Sequence, residues 1–197
     1  MTFARMVHRY WQPGEAFLPI AFFLIVISLG AFAAGPNRQL LTQIGPGTLW
    51  TAALLASLVP VGTLLEEDIE SEALDQLRVA GLSLEAIMAV RILAHWLGFA
   101  PALVLSSFAA VPLLGVSPHT LWGLPIGAGA LAALGVVAAA LLASVRNAGA
   151  VAGVLVLPLA LPVLIFGVGE AFRLLAASTL IIVAAAPFAA AAALRVP

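Results

Sequence analysis

Residues Phe17 to Ala34 read FLPIAFFLIVISLGAFAA and carry no ionisable side chain. A helix of this length is about 27 Å long, close to the roughly 30 Å of a bilayer's hydrocarbon core. The run therefore predicts a membrane-spanning helix, and Pro19 suits its first turn. A secretory signal is the alternative, because Arg5 and Arg9 precede the run and Ala31-Phe32-Ala33 resembles a cleavage site.

Further apolar runs follow along the chain. Hydrophobic residues make up 63% of the sequence and charged residues 9%, against about a quarter charged in soluble domains. We therefore predict an all-α, polytopic integral membrane protein with a single transmembrane domain over residues 1–197. The six predicted spans cover residues 17–34, 48–65, 87–114, 121–143, 148–169 and 174–193.

Prolines modify three of these spans. Gly45-Pro46-Gly47 predicts a turn that opens the second span. Pro101 predicts a tilted or kinked third span, because proline lacks the backbone donor that a helix interior needs. Pro158 and Pro162 predict that the fifth helix is bent or interrupted.

Absent residue types exclude several function classes. There is no cysteine, which excludes disulfides and thiolate metal sites. All eight basic residues are arginine, so no P-loop lysine can reach a nucleotide phosphate, and any ATP must be hydrolysed by another chain. His8, His95 and His119 lack metal-ligand spacing, and a net charge of -1 gives no nucleic-acid footprint. We predict no catalytic, cofactor-binding or metal site.

The arginines predict the orientation, since positive residues near span ends are retained in the cytoplasm. An N-in, C-in arrangement requires an even number of spans, in agreement with six. It leaves only Arg38 and Arg173 outside. The arginines that it places inside are Arg5, Arg9, Arg78, Arg91, Arg146 and Arg195.

Residues 66–85, the acidic segment, hold seven of the nine acidic residues and are predicted to be cytoplasmic. Ile69, Ala73 and Leu77 recur at helical spacing, which predicts an amphipathic helix. Such helices usually carry Lys or Arg when they rest on lipid, so an acidic one indicates a protein partner, and an ATPase would supply the missing P-loop. The predicted docking residues are Glu67, Asp68, Ile69, Glu70, Leu74, Asp75, Gln76 and Leu77. A solvated loop joining two spans is the alternative.

Ionisable groups within or beside spans are further candidates. Arg91, His95 and Trp96 lie near the cytoplasmic end of the third span, where they either contact a polar ligand or anchor the helix at the interface. Glu170 and Arg173 are one turn apart and are predicted to form an ion pair. Ser117-Pro118-His119 places a serine too close to a histidine in one turn to assemble a nucleophile and its base.

Several separate stretches, in order, resemble the haem exporter protein B family, the membrane subunit of the cytochrome c maturation ABC transporter. The resemblance covers nearly the whole chain and implies a six-helix ABC-2-type permease in a bacterial inner membrane. The stretches are Ile44-Gly45-Pro46-Gly47 with Trp50-Thr51-Ala52-Ala53-Leu54-Leu55, Asp68-Ile69 with Leu74-Asp75-Gln76-Leu77, Ala94-His95-Trp96, Val154-Leu155-Val156-Leu157-Pro158-Leu159 with Pro162, and Pro187-Phe188 with Ala191-Ala192-Ala193-Leu194-Arg195.

The resemblance also implies a set of partners. These are a cytoplasmic ABC ATPase, a haem-handling subunit with a tryptophan-rich periplasmic segment, a small single-span subunit, a periplasmic haem chaperone and membrane lipid. Haem is then a candidate substrate, and ATP acts through the partner chain. The acidic segment would be the coupling helix, although Glu72 stands where the family often has glycine, which puts the local turn geometry in doubt.

Two other functions fit the same residues. One is a scaffold that gathers haem-handling partners and moves nothing. The other is an ATP-independent secondary transporter, since broken helices often line substrate sites. Against the transporter stands the scarcity of membrane carboxylates, because Glu15 and Glu170 both lie near interfaces and offer no proton relay.

Overall fold

The computed structural model describes residues 16–70, 73–144 and 149–195. Every regular element in those ranges is helical, which confirms the predicted all-α class. Two short 3-10 turns cover Val59–Gly62 and Pro118–Trp122. The α-helices are α1 (Phe17–Ala34), α2 (Arg38–Leu58), α3 (Glu66–Glu70), α4 (Ala73–Val79), α5 (Leu84–Ser107), α6 (Ala110–Leu114), α7 (Gly123–Ser144), α8 (Gly149–Val168) and α9 (Phe172–Ala193).

The long helices are apolar enough to cross a membrane. Within the described residues, five stretches have the length and hydropathy of a span, and α8 contributes the shorter apolar stretch Val156–Val168. The prediction of a polytopic membrane protein is therefore confirmed. Arg146, predicted to be cytoplasmic, lies outside the described residues. The five stretches are Phe17–Ala34, Arg38–Gly62, Leu84–Ser107, Pro118–Ala143 and Phe172–Ala193.

The predicted turn at Gly45-Pro46-Gly47 is wrong, because α2 already begins at Arg38 and continues through Pro46. The side chain of Asn37 accepts a hydrogen bond from the Leu40 amide and so satisfies a donor that the helix start leaves open. A Cβ at Gly45 would lie 2.8 Å from the Leu114 carbonyl oxygen. The glycine lies inside α2, and because it has no side chain, the backbone of α6 approaches the backbone of α2 closely there.

The third and fifth predicted spans also differ from expectation. The third is divided, since α5 passes through Pro101 and ends before a turn at residues 108–109, and α6 follows. Gly115 ends α6 with a left-handed φ of 66°. The fifth helix is continuous through Pro158 and Pro162, so it is not interrupted, and the predicted bend stays a prediction.

The spans pack around α7, the most buried of the five spans. It contacts α5, α8 and α9 along a face rich in alanine, and such small residues let neighbouring helices approach closely. At the edge of the bundle, α1 packs on α2, where Gly30 lies against Thr48. Only Pro19, Phe23 and Ile27 of α1 are buried, so most of its surface is available to lipid.

Two contacts between polar side chains mark the ends of the bundle. Glu85 at the start of α5 lies 2.5 Å from Arg195, which follows α9, so both belong to the end that carries the acidic segment. We call this the acidic end. At the opposite end, His119 before α7 lies 3.1 Å from Glu170, which follows α8.

Trp50 of α2 is a fully buried side chain that depends on two glycines. A Cβ built at Gly127 of α7 or at Gly167 of α8 would overlap its indole ring. The ring therefore holds three helices together, and each glycine leaves the space that the ring fills.

Gly127→Ala is expected to destabilise the protein by about 1–2 kcal/mol, because the added methyl group overpacks against a ring with no room to move. The measurement is the midpoint of thermal unfolding in one detergent. Gly47→Ala on α2 is the matched control, since its added Cβ meets no atom within 4 Å and alanine favours a helix. A midpoint unchanged in Gly127→Ala would contradict the packing of Trp50.

Candidate functional site

The acidic segment forms two short helices, α3 and α4, at one end of the bundle. Residues 71–72 between them are outside the described ranges, and so is the consequence of Glu72 for the turn. Nothing is described of three predicted docking side chains, those of Glu67, Glu70 and Asp75. The remaining predicted docking residues divide between a buried face and an exposed face.

The buried face holds the segment onto the bundle. Asp68 is 5% exposed and Leu77 is 7% exposed, while Leu74 is half-buried against the core. Asp68 therefore points inward, and a partner cannot reach it without moving the segment.

The exposed face combines polar and apolar side chains. Gln76 is exposed, and so is Ile69. Val79 at the end of α4 is 90% exposed. An exposed isoleucine and an exposed valine therefore lie within a segment that is rich in carboxylates.

Asp68 pairs with Arg91 of α5, whose Nε lies 3.7 Å from the carboxylate Oδ2. Both residues are buried, and the Arg91 guanidinium also donates a hydrogen bond to the Leu64 backbone carbonyl. Arg91 thus contacts Leu64, just before α3, and Asp68, within α3. A charge pair with so little solvent contact tolerates little change in its geometry.

A second ion pair continues this connection across the acidic end. Glu85, the last residue of the acidic segment, accepts a hydrogen bond at Oε1 from the guanidinium of Arg195, which follows α9. Arg91 therefore joins the start of the acidic segment to α5, and Glu85, in the first turn of α5, joins that helix to the residue beyond α9.

A groove of about 580 Å³ lies between α5, α7 and α9, and we call it the trough. Leu180, which lines the trough, is 70% exposed, so the trough opens on the lipid-facing surface of the bundle. A second groove of about 440 Å³ shares Trp96 and Pro125 with it and extends along α5 to Leu105. The trough is lined by Ala89, Ile92, Leu93, Trp96, Pro125, Ile126, Gly129, Ala176, Thr179, Leu180 and Val183.

Two polar atoms interrupt the apolar lining. Among the described residues, neither Trp96 Nε1 nor Thr179 Oγ1 has a hydrogen-bond partner, although both atoms are buried. Both side chains lie beside Gly129, where an added Cβ would be 3.8 Å from Trp96 Nε1 and 3.5 Å from Thr179 Cγ2. Unsatisfied donors in an apolar groove suit an amphiphilic molecule that carries acceptor atoms.

His95 lies apart from the trough. Its ring stacks on Phe99 at 5.9 Å between centroids, and its Nε2 is about 3.7 Å from a Cβ placed at Gly135 of α7. The structure therefore separates the three predicted residues of the third span: Arg91 meets Asp68, Trp96 lines the trough, and His95 packs toward α7. Whether His95 contacts a ligand or anchors the helix stays a prediction.

A polar cluster lies at the opposite end of the bundle. Glu170 accepts a 2.6 Å hydrogen bond from Thr120 Oγ1 and pairs with His119 Nδ1 at 3.1 Å, so the predicted pair of Glu170 with Arg173 is not formed. The hydrogen bonds from Thr120 and then His119 hold the pKa of Glu170 below its usual value. No local pattern signals this cluster, because its members are 50 and 51 positions apart.

No group of three or more His, Asp or Glu side chains suited to a metal ion occurs in the described part of the chain.

The helical bundle, its lipid-facing trough and its ion-paired polar segment define a polytopic α-helical membrane protein. The chain belongs to the CcmB protein family, which it matches over residues 5–197. The predicted family is thereby confirmed.

Curated relatives named "Heme exporter protein B" share most of their length with this chain. The protein of Paracoccus denitrificans is 42% identical over 91% of this chain and 89% of its own length. That of Bradyrhizobium diazoefficiens is 37% identical over 92% and 90%, and that of Haemophilus influenzae is 34% identical over 100% and 98%.

Proposed function

We propose that this chain is the membrane subunit of an ATP-driven haem-handling complex of a bacterial inner membrane. It acts in c-type cytochrome maturation and couples ATP hydrolysis by a partner chain to haem export or to release of a haem-loaded periplasmic chaperone. The names of its relatives support haem as the cargo. The observation that carries the coupling role is the buried Asp68–Arg91 pair, which joins the acidic segment to α5; the Glu85–Arg195 pair extends this connection from the start of α5 to the residue beyond α9.

Those bridges connect the docking surface to the trough. An ATPase bound on the exposed face of α3 and α4 moves the segment, and the Asp68–Arg91 pair passes that movement to α5. The Glu85–Arg195 pair passes it to α9. Since α5 and α9 form two walls of the trough, its width changes with the position of the segment.

The proposed orientation is N-in and C-in. Arg78 and Arg195 lie at the acidic end, whereas Arg38 at the start of α2 and Arg173 at the start of α9 lie at the opposite end. Arg91, which pairs with Asp68, also lies at the acidic end, so that end has three of the five described arginines. The positive-inside rule therefore favours a cytoplasmic position for the acidic end, where an ATPase can reach it.

The proposed assembly contains several chains. The absence of lysine means that the ATPase subunit supplies the nucleotide site, and this chain is a permease subunit rather than an enzyme. A haem-handling subunit with a tryptophan-rich segment, a small single-span subunit and a periplasmic haem chaperone complete the complex. Membrane lipid surrounds the exposed surface of α1.

The test is purification of the tagged protein from its native membrane in mild detergent, with identification of the co-purifying chains. We expect an ATPase and haem-handling subunits, and we expect ATP to change the release of the haem chaperone from the complex. Recovery of the partners without any effect of ATP would favour the scaffold. Recovery of the folded protein alone would overturn the proposal in favour of a secondary transporter.

A further inference from the structure

His119 lies in the 3-10 turn before α7, at the end of the bundle opposite the acidic segment. Its side chain is 63% exposed, and its Nδ1 lies 3.1 Å from Glu170 Oε2. In the tautomer that donates its Nδ1 proton to the carboxylate, the lone pair of the ring is on Nε2. The ring is therefore set up as a ligand for a metal that approaches from outside the bundle.

Glu170 is held in position by more than this contact. Its other carboxylate oxygen accepts the 2.6 Å hydrogen bond from Thr120, so both oxygens are engaged. Its φ of 51° is the one positive value at a non-glycine residue in the described chain. Glycine or asparagine would adopt this conformation with less strain, so the carboxylate itself accounts for a glutamate at this position.

One aromatic side chain contacts the imidazole, and a second belongs to the same turn. The Phe172 ring meets it edge-on at 5.1 Å between centroids. Trp122 is 70% exposed and follows His119 by three residues in the 3-10 turn, where side chains three apart lie on the same side. A planar macrocycle bound to Nε2 therefore finds exposed aromatic surface next to its ligand.

We propose that His119 is an axial ligand of haem iron at this end of the bundle, with Glu170 as its positioning residue. A carboxylate hydrogen-bonded to the second nitrogen orients a ligating histidine and raises its basicity. Histidine is an axial ligand of haem iron in globins and peroxidases. The proposal rests on the proposed function, because it takes haem as the cargo.

The experiment uses the full chain in detergent with ferric haem added, and it reads histidine–iron coordination by electron paramagnetic resonance and the Soret band. The chain has only three histidines, so His8→Ala and His95→Ala are matched controls for His119→Ala. We expect His119→Ala alone to lose the coordination signal and imidazole to restore it in His119→Gly. Glu170→Gln is expected to weaken haem binding roughly tenfold.

A coordination signal that persists in His119→Ala, or a wild-type protein without histidine coordination, would overturn the proposal. So would His119→Gly that imidazole does not rescue. Co-purification of the ATPase is measured on the same samples, and we expect His119→Ala to retain it. A wild type that coordinates haem through His119 but recovers no ATPase would support this site while contradicting the coupling role.

Discussion

Arg91→Met is expected to destabilise the protein by about 3–5 kcal/mol, because it leaves the buried Asp68 carboxylate without the cation that compensates its burial. For a chain of this size, such a loss corresponds to a fall of about 10 °C in the unfolding midpoint. The measurement is thermal unfolding of the purified protein in one detergent. Arg173→Met removes an exposed arginine at the opposite end and is expected to leave the midpoint nearly unchanged.

The double variant Asp68→Asn with Arg91→Met separates charge from packing. Removing both charges of a buried pair is often close to neutral, so the double variant is expected to be more stable than Arg91→Met alone. A double-mutant cycle gives the coupling between the two residues. If the two single losses simply add, the two side chains do not interact and the proposed link from α3 to α5 is wrong.

The second large effect is expected at the docking face. Ile69→Asp with Val79→Asp replaces the two exposed apolar side chains of α3 and α4 with charges. The affinity of the co-purified ATPase is expected to fall at least tenfold, or about 1.4 kcal/mol, since a buried aspartate loses both apolar contact and hydration. The measurement is ATPase binding to purified variants reconstituted in nanodiscs.

Two exposed glutamines, one at each end of the bundle, test the effect of an added positive charge on ATPase binding. Gln76→Arg places a cation on the exposed face of α4, within the acidic segment, and is expected to weaken binding of a partner that recognises the negative charge. Gln39→Arg makes the same change at an exposed position at the opposite end, where no effect on the ATPase is expected. Equal affinities for both variants would contradict docking on the acidic segment.

The sequence predicted the first span accurately, because this feature depends on local composition. The first span matches α1, because an uninterrupted apolar run has clear polar limits. The start of α2 was misplaced, since Gly45 and Pro46 give a local turn signal whereas the Asn37 cap and the close approach of Leu114 decide the helix. Tertiary contact overrode the local pattern.

For the candidate sites too, local patterns in the sequence predicted less than the contacts between helices decide. Helical spacing predicted that Ile69 shares one apolar face with Ala73 and Leu77, but Ile69 is exposed, so this part of the prediction is wrong. Asp68 faces inward instead, because it pairs with Arg91 of another helix, and a local pattern does not show such a contact. The sequence also contained His119 and Glu170 without any signal that they meet. Only their positions at the ends of neighbouring helices bring them together.

The most direct test of the coupling role uses a cross-link from Val79, which is exposed at the end of α4. Because the chain has no cysteine, Val79→Cys introduces a single thiol, and Gln39→Cys does the same at the opposite end. Native membranes are treated with a short thiol-reactive cross-linker and probed for the ATPase. The account predicts an adduct of the ATPase with Val79→Cys and none with Gln39→Cys; a Val79→Cys thiol that reacts with maleimide but never joins the ATPase would contradict it.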